Sequence, residues 1–406
     1  MPTPAQIDVI KQTVPVLQQH GETLTRHFYA RMFEHNPEVK RYFNPAHQRS
    51  GGQQRALAGA ILAYAQHIED PSALASAIEV IAQKHTSLTI QPEHYPIVGE
   101  NLLASIQEVL GDAATDDILD AWAAAYGELA QVFIDREQAI YAQQREQQGW
   151  AGFKPFTVVR RQVESDNIVS LYLAPEDGST PPAHLPGQYV SIRLQDADGH
   201  TAMRNYSLSN APGASAYRIS VKRELGGNDV PNGDVSNRIH DGLAKGDRIE
   251  LSPPCGAFTL ELPAPADKPL VFIAGGVGIT PLISMAHAAL NASASRPVTF
   301  VQAARHGGLR AFTSELEALA RDYPNFELHT CFSEPREADL SDDDRVKGGE
   351  LEADDLERWV GGWGATYYFC GPLPMMQKVD QMLEAKGVAA DDRRYECFGP
   401  LQPLKA

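Results

Sequence analysis

Backbone-breaking residues are spread too unevenly for one architecture to serve the whole chain. Residues 1–150 hold 8 prolines and 8 glycines, and the rest of the 406 residues hold 20 and 24. Proline removes a backbone donor and glycine weakens a helix interior, so long helices belong to the first part. Apolar residues there recur at helical spacing. Leu57, Ile61, Ala65 and Ile68 form one stripe, Leu102, Leu103, Ile106, Val109 and Leu110 a second, and Ile118, Trp122, Tyr126, Leu129 and Phe133 a third. The pattern predicts an all-α domain over residues 1–147.

The hydrophilic stretch Gln143–Gly149 hands over to a different texture. Short β-rich runs follow at Phe156–Val159, Ile168–Leu173, Tyr189–Leu194, Tyr217–Val221, Arg248–Leu251 and Phe258–Glu261, separated by Gly, Pro, Asp and Asn turns. That spacing predicts a small antiparallel β-barrel over 150–264. Beyond Pro269 the apolar strands Leu270–Ile273, Val298–Ala303 and Thr366–Cys370 alternate with helical stretches such as Pro281–Leu290 and Ser314–Asp322. This is the alternation of an α/β nucleotide-binding domain, expected over 267–406. The chain is long enough for each of the three to have its own core.

Net charge is −17, about −8 of it in residues 1–150 and about −9 in the rest. Neither part carries a basic patch, so nucleic acid is not an expected partner. The four cysteines, Cys255, Cys331, Cys370 and Cys397, are scattered with no CxxC spacing. A zinc or iron–sulfur site is therefore not expected, and a reducing cytoplasm is. The opening MPTPAQIDVIK lacks a signal-peptide pattern. The longest apolar run, near Leu270–Ile283, is broken by glycines and a proline and is not expected to span a bilayer.

Three motifs stand in order in the second part: Arg-Asn-Tyr-Ser-Leu-Ser at 204–209, Gly-Gly-Val-Gly-Ile-Thr-Pro at 275–281 and Cys-Gly-Pro at 370–372. Arg204 offers a planar, permanently charged fork for phosphate, and Tyr206 and Ser207 offer an aromatic face and a hydroxyl. A strand carrying all three suits a flavin held at both ends. The glycine loop follows a predicted strand and precedes a predicted helix. Gly275, Gly276 and Gly278 let the backbone approach a pyrophosphate, Val277, Ile279 and Thr280 complete the turn, and Pro281 falls in the helix's first turn. Cys370, Gly371 and Pro372 end another strand at the same carboxyl edge.

The trio resembles the ferredoxin–NADP reductase superfamily. That resemblance gives Arg204 a contact to FAD phosphate, Tyr206 a stack on the isoalloxazine and Ser207 a hydrogen bond to the flavin ring, with Asn205 between them. Tyr189 matches a further FAD contact, and Ser236 and Asn237, after the long Gly226–Asp234 loop, match the diphosphate-facing loop. The segment of Glu396, Cys397, Phe398, Gly399 and Pro400 matches one that covers the flavin, with Glu396 near the redox centre and Phe398 over the ring.

Seven histidines lie in residues 1–150. His85 shares a stripe with Ile78, Ile81, Ala82 and Leu88, and on pattern alone such an imidazole is more often a hydrogen-bonded core histidine than a ligand. The stretches HFYARMFEHNPEVKRYFN (27–44), QRALAGAIL (54–62), IAQKHTSL (81–88), QPEHYPIVGENLL (91–103) and DAWAAAYGELAQVFIDRE (120–137) together look like the globin domain of flavohaemoglobins. The FAD and NAD domains follow in that family's order, so the resemblance covers essentially the whole chain. It implies His85 as the proximal ligand of haem b iron, with Tyr95 and Glu137 hydrogen-bonded behind it. It implies Tyr29 and Gln53 as the distal polar pair, Gln54 being the alternative amide. Phe43 matches the residue packed on the haem face, and Leu57, Ile61, Val98 and Leu102 would line the pocket. Lys84 matches a position near the haem–flavin junction. Outside the resemblance, Glu137 and Lys84 read as solvated helix charges and Tyr29 as core packing.

The resemblance implies a nitric oxide dioxygenase, in which electrons pass from NAD(P)H through FAD to haem b and convert NO and O₂ to nitrate. The implied partners are those small molecules, and the apolar distal pocket permits a lipid. Two other readings stay open: an O₂- or NO-binding or sensing globin whose reductase only maintains its iron, and an NAD(P)H–flavin reductase for an external acceptor. Arg305 lies where it could reach a 2′-phosphate, but one arginine does not choose between NADPH and NADH.

Overall fold

The structure, a computed structural model, describes residues 2–195, 199, 201–227, 232–262, 267–399 and 404. Pro400, the centre of the Gly226–Asp234 loop and the boundary expected at 264 lie outside the described residues. The chain divides into two compact units. One comprises Met1–Phe153, Arg193–Arg204 and Gly399–Gln402, and the other Lys154–Ile192, Asn205–Phe398 and Pro403–Ala406.

Residues up to 148 are helical: α1 (Pro4–His35), α2 (Pro45–Arg49), α3 (Gly52–Gln66), α4 (Ala75–Ser87), α5 (His94–Leu110) and α6 (Asp116–Gln148). The Thr3 hydroxyl accepts from the Gln6 N–H while the Gln6 side chain accepts from the Thr3 N–H, and Pro4 sits where the helix needs no donor. α6 starts at Thr115, whose side chain accepts from Ile118, and stops at Gly149, whose φ of +83° suits glycine. The expected handover at 143–149 is thus largely the last turns of α6, with Gln144 buried. The three predicted stripes meet in one core, where Leu57, Ile61, Leu102, Ile106 and Trp122 pack with Ile10, Phe28 and Met32 of α1. Each fully buried Ile or Leu there stabilises the fold by roughly 1.5–3 kcal/mol. A smaller cluster of Ala82, Tyr95, Ala130, Phe133 and Ile140 joins α4, α5 and α6.

The β-rich stretch forms one six-stranded sheet from β1 (Lys154–Ser165), β2 (Ile168–Pro175), β3 (Tyr189–Gln195), β4 (Thr201–Ser207), β5 (Tyr217–Lys222) and β6 (Arg248–Leu251), with α7 (Asp234–Gly242) between the last two. The order is β4-β3-β6-β1-β2-β5, and β1 pairs antiparallel with β2 and β6, as β2 does with β5. An antiparallel bridge between Leu208 and Ile219 joins the two ends of that order, closing the expected barrel. Phe258–Glu261 is not a strand. Its backbone is satisfied elsewhere: the Leu260 N–H donates to the Pro186 carbonyl at 3.0 Å and the Glu261 N–H to the Tyr368 hydroxyl at 3.0 Å. Phe258 and Leu260 pack against the core of the next sheet instead of a ladder partner.

That sheet is parallel throughout: β7 (Leu270–Gly275), β8 (Val298–Ala304), β9 (Phe326–Phe332), β10 (Val346–Gly348), β11 (Thr366–Cys370) and β12 (Arg393–Glu396), in the order β10-β9-β8-β7-β11-β12. Its helices are α8 (Ile279–Ala292), α9 (Thr313–Asp322), α10 (Ala353–Val360) and α11 (Leu373–Ala385). From β7 the chain builds outward through β8, β9 and β10, then returns to place β11 on the other side of β7. The reversal opens a crevice at the carboxyl ends of β7 and β11, where such sheets bind ligands. Among the described residues no helix is long and apolar enough to cross a membrane.

Candidate functional site

The predicted group around His85 is assembled from three helices. His85 lies in the last turn of α4, Tyr95 in the first turn of α5 and Glu137 midway along α6. The His85 Nδ1–H donates to Glu137 Oε1 at 2.7 Å, and the Tyr95 hydroxyl donates to the same oxygen at 2.5 Å. Tyr95 oxygen is itself 3.3 Å from His85 Nδ1. Glu137 is only 2 % exposed, so this carboxylate is no solvated helix charge. With its Nδ1 proton given to Glu137, His85 presents Nε2 as a lone pair, and Nε2 carries no hydrogen bond to the described residues. Burial first, and then the Glu137 hydrogen bond and charge, push the Tyr95 phenol well above its usual range, so it stays a donor. One support was not foreseen: the Tyr126 hydroxyl donates to the Tyr95 carbonyl at 2.6 Å. Gly99 makes room for it, since a Cβ there would meet the Tyr126 ring at 2.6 Å.

Tyr29 is 5 % exposed on α1 and packs edge-on to Phe28 and Phe43, with ring centroids 5.0 and 5.6 Å apart. Burial raises its pKa well beyond a free phenol's, partly offset by a hydrogen bond with Gln53. The Gln54 side chain donates instead to Gln48 Oε1 at 2.9 Å. Phe43, Leu57, Ile61, Val98 and Leu102 all pack in the same core as Tyr29. α5 serves both groups, since Tyr95, Val98 and Leu102 recur at one-face spacing. An apolar cavity borders Ile61 and Leu102 and extends past Leu24, Leu17 and Ile106.

Within the same unit Lys84 Nζ donates to the Gly399 carbonyl at 3.4 Å, and Arg204 donates to the Met203 carbonyl at 2.6 Å and to Asn44 Oδ1 at 3.4 Å. His47, not anticipated from sequence, is held down to a pKa of about 4 by burial and by the charges of Lys84 and Arg204. It is a neutral ring between two cations.

In the other unit the glycine loop and Cys-Gly-Pro, far apart in sequence, meet at the crevice. Gly275 ends β7, Gly276 turns at φ +52°, and Gly276–Gly278 form a single 3₁₀ turn into α8. A Cβ on Gly278 would collide with the Cys370 carbonyl and Gly371 nitrogen, and one on Gly371 would crowd Gly275. Glycine is needed here for close approach of two strand ends. Val277 and Ile279 complete the turn, which the Thr280 hydroxyl ties by donating to the Val277 carbonyl at 3.0 Å. Pro372 caps α11. Glu396 pairs in register with Cys370 across β11 and β12, bringing the C-terminal segment to the same edge. Burial and the Glu396 charge push the Cys397 thiol up to about 11, which makes it a poor nucleophile, and Phe398 stands 46 % exposed.

The flavin-type residues are placed as follows. Asn205 Oδ1 accepts from the Ser191 hydroxyl at 2.7 Å, Tyr206 is partly buried and Ser207 is buried. Tyr189 is buried against Gly256, where a Cβ would come within 3.0 Å of the ring. Ser236 and Asn237 lie in the first turn of α7, but their side chains serve their own loop. Ser236 Oγ donates to the Gly233 carbonyl at 3.1 Å and Asn237 Nδ2 to the Glu224 carbonyl at 2.9 Å. What this helix start can offer an anion is backbone N–H.

The globin family model matches residues 26–133, the oxidoreductase FAD-binding domain model 155–260 and the oxidoreductase NAD-binding domain model 272–381. A flavohemoprotein of Rhodopirellula baltica is 47% identical over 402 residues, covering 98% of each chain. One of Chromobacterium violaceum is 48% identical over 393 residues, covering 96% of each. The crystal structure of a flavohemoglobin from Malassezia yamatoensis with bound FAD and heme superposes with a TM-score of 0.84 at 29% identity, over 98% of this chain and 99% of that one. The FAD/NAD-binding domain of nitric oxide dioxygenase from Vibrio cholerae superposes with a TM-score of 0.54 at 33% identity, over 61% of this chain and 99% of that one. This chain belongs to the flavohemoprotein family, oxidoreductases that join a haem-binding globin domain to FAD- and NAD-binding domains.

Proposed function

We propose that the chain is an NAD(P)H-dependent nitric oxide dioxygenase: two NO, two O₂ and one NAD(P)H give two nitrate, NAD(P)⁺ and one proton. The observation that carries this reading is the buried Glu137 carboxylate accepting from both His85 and Tyr95. A carboxylate pulling on the far N–H makes imidazole a stronger donor to a metal, and a simple oxygen store has no need of it.

The residues fit the three cofactors. His85, with Nδ1 engaged and Nε2 facing no partner among the described residues, fits an iron ligand, and Phe43, Leu57, Ile61, Val98 and Leu102 fit the apolar walls of a haem b pocket. The half-exposed Phe398 ring fits a cover for an isoalloxazine held by Tyr189, Arg204, Tyr206 and Ser207, with α7 at Ser236 and Asn237 toward the diphosphate. The closely packed Gly275–Thr280 and Cys370–Pro372 fit a nicotinamide dinucleotide at the switch point. When bound, FAD exchanges a hydride for single electrons and haem b supplies the one-electron chemistry of O₂.

The chain's own residues do the rest. Glu137 and Tyr95 orient His85 and fix its tautomer. Tyr29, kept protonated by burial, and Gln53 present donors toward O₂ as it takes on negative charge. Lys84, next to His85 on α4 and donating to the Gly399 carbonyl within the same unit, supplies positive charge there. The apolar cavity at Ile61 and Leu102 supports an acyl chain as a further occupant near the pocket. Four cysteines scattered through the sequence without CxxC spacing support a reducing cytoplasm.

The test is NO consumption by the purified holoenzyme in air, started with NADH and followed with an NO electrode, with nitrate measured as product. NADH-dependent NO loss matched by nitrate is expected, and His85→Ala should abolish it while keeping FAD. NO loss no faster with NADH than without it would sink the reading.

A further inference from the structure

A buried charge network that the proposed function leaves unused ties the Arg204–Ser209 strand to the helix that follows the glycine loop. Arg218 lies on β5 and is 4 % exposed. Its Nε donates to Ser209 Oγ at 3.0 Å and its Nη2 to the Ser209 carbonyl. The two Nη groups also grip both oxygens of Glu315 on α9, at 2.6 and 3.1 Å. Such a bidentate pair fixes angle as well as distance. Glu315 in turn accepts from His287 Nε2 on α8 at 2.6 Å.

Two further observations mark the network as a built device. Phe312, immediately before α9, holds a left-handed φ of +57°, a conformation rare for a bulky residue, and its ring centroid lies 4.6 Å from the Arg218 guanidinium carbon. One turn before His287, the Ser284 hydroxyl donates to the Asn210 carbonyl at 2.8 Å, so α8 is tied twice to the chain around Ser209 and Asn210. The Ser209 hydroxyl is also bonded to Ser220 at 2.8 Å, and Ser220 to Ser170 at 2.7 Å, anchoring that chain in the barrel. Burial alone would raise the Glu315 pKa, but His287 and Arg218 hold it down at about 2, so the pair keeps its charge.

We infer that Arg218, Glu315 and His287 are positioning residues for hydride transfer, holding the strand of Tyr206 and Ser207 in register with α8 and its glycine loop. The inference rests on the proposed reading of those two segments as flavin and nicotinamide contacts. In the step concerned, a hydride leaves the nicotinamide with its electron pair, oxidising it, and arrives on the flavin, which is reduced by two electrons. α8 starts at Ile279, directly after the loop, so a shift at Ser284 and His287 is carried by a rigid helix to the nucleotide end. A displacement of ~1 Å between reacting groups is enough to slow such a step by ~10²-fold.

The experiment compares Glu315→Gln, Arg218→Lys and the double variant Arg218→Met with Glu315→Leu, all as holoenzymes. Flavin reduction by NADH is followed anaerobically by stopped flow at several NADH concentrations, with 4-deuterated NADH for the isotope effect. Amide exchange of residues 208–211 and 284–290 is measured without NADH. For Glu315→Gln the expected result is full FAD content, an NADH dissociation constant within about threefold, flavin reduction slowed ~10–100-fold and faster exchange at 208–211. Arg218→Lys, which keeps the charge but loses the fork, should be intermediate. The double variant removes both buried charges together and carries the test if a single change prevents folding. Reduction within about twofold of the unaltered rate in a folded variant overturns the inference. So does a loss that falls on FAD content or NADH affinity instead. If NADH does not reduce the flavin of the unaltered protein, the functional reading itself falls, a result distinct from either.

Discussion

Glu137 is the acceptor for two donors at once, and removing it has an effect that can be sized in two independent ways. Glu137→Leu leaves the His85 Nδ1–H, now bonded at 2.7 Å, and the Tyr95 hydroxyl, now bonded at 2.5 Å, without their acceptor. A hydrogen bond to a charged group contributes about 1.5–3 kcal/mol, which is the stake at His85. Loss of the group behind a metal-binding histidine typically lowers affinity by ~10–100-fold, equivalent to about 1.4–2.8 kcal/mol. The two estimates agree. Haem should therefore leave Glu137→Leu ~10–100 times faster than the unaltered protein, with FAD content unchanged. Glu137→Gln keeps one carbonyl acceptor and should fall between. Haem loss is read as transfer to an excess of a haem-scavenging apoglobin, and the iron–imidazole stretch of the ferrous protein by resonance Raman. A loss rate within about twofold of the unaltered protein, with the stretch unmoved, would show that the carboxylate does not act through His85.

Tyr29→Phe keeps the ring packed against Phe28 and Phe43 but removes the donor, so haem and FAD should be retained while O₂ affinity falls ~10–100-fold. Unchanged O₂ binding in a titration would remove Tyr29 from the site. Gly278→Ala forces a Cβ into the Cys370 carbonyl, so flavin reduction by NADH should fall at least ~10-fold with both prosthetic groups in place. Stopped-flow reduction at the unaltered rate would contradict that packing. For pH, burial holds His184 neutral down to about 4, whereas the unfolded chain takes up that proton near 6.5. The unfolded state then binds more protons as pH falls, so stability declines between 6.5 and about 4. His47, likewise held down to about 4, acts in the same window, so replacing His184 with glutamine should reduce the slope of the melting midpoint there without abolishing it, and an unchanged slope would exclude His184 as a source.

The legible parts of the molecule were those whose requirement is written in the backbone. Gly275 and Gly278 must be glycine for two strand ends to close, Gly276 turns at a positive φ, and the run Leu270–Ile273 is apolar because β7 is buried on both faces. β9, β10 and β12 were not legible, and β4 was legible only through the motif that starts at Arg204. β4 is Thr-Ala-Met-Arg-Asn-Tyr-Ser and β12 is Arg-Arg-Tyr-Glu, strands whose polar side chains serve a site or an edge and so lack apolar alternation. Phe258–Glu261 misled in the opposite sense: its apolar residues are paid for by packing on the neighbouring core, not by a ladder. At the site, residues 52 positions apart, His85 and Glu137, meet through tertiary packing, and no local spacing signals that a helix glutamate turns inward. Resemblance to a family found it where pattern did not. Neither route found His47, or Arg218 on a strand whose two faces are both covered.

One consequence of carrying the electron supply and the haem-binding domain in a single polypeptide can be measured without knowing any distance between them. If a separate reductase served the haem, each reduction would be a bimolecular encounter, and its rate would scale with protein concentration. Covalent linkage replaces that encounter with an effective local concentration that short connections place near ~1 mM. In a sample at ~1 µM protein the internal route is then favoured by ~10³-fold over exchange between molecules. The reduction rate constant of haem after NADH is added anaerobically should therefore be the same at every protein concentration tested. Proportionality to concentration would mean that electrons travel between molecules, and the haem of one chain would then be served by the flavin of another.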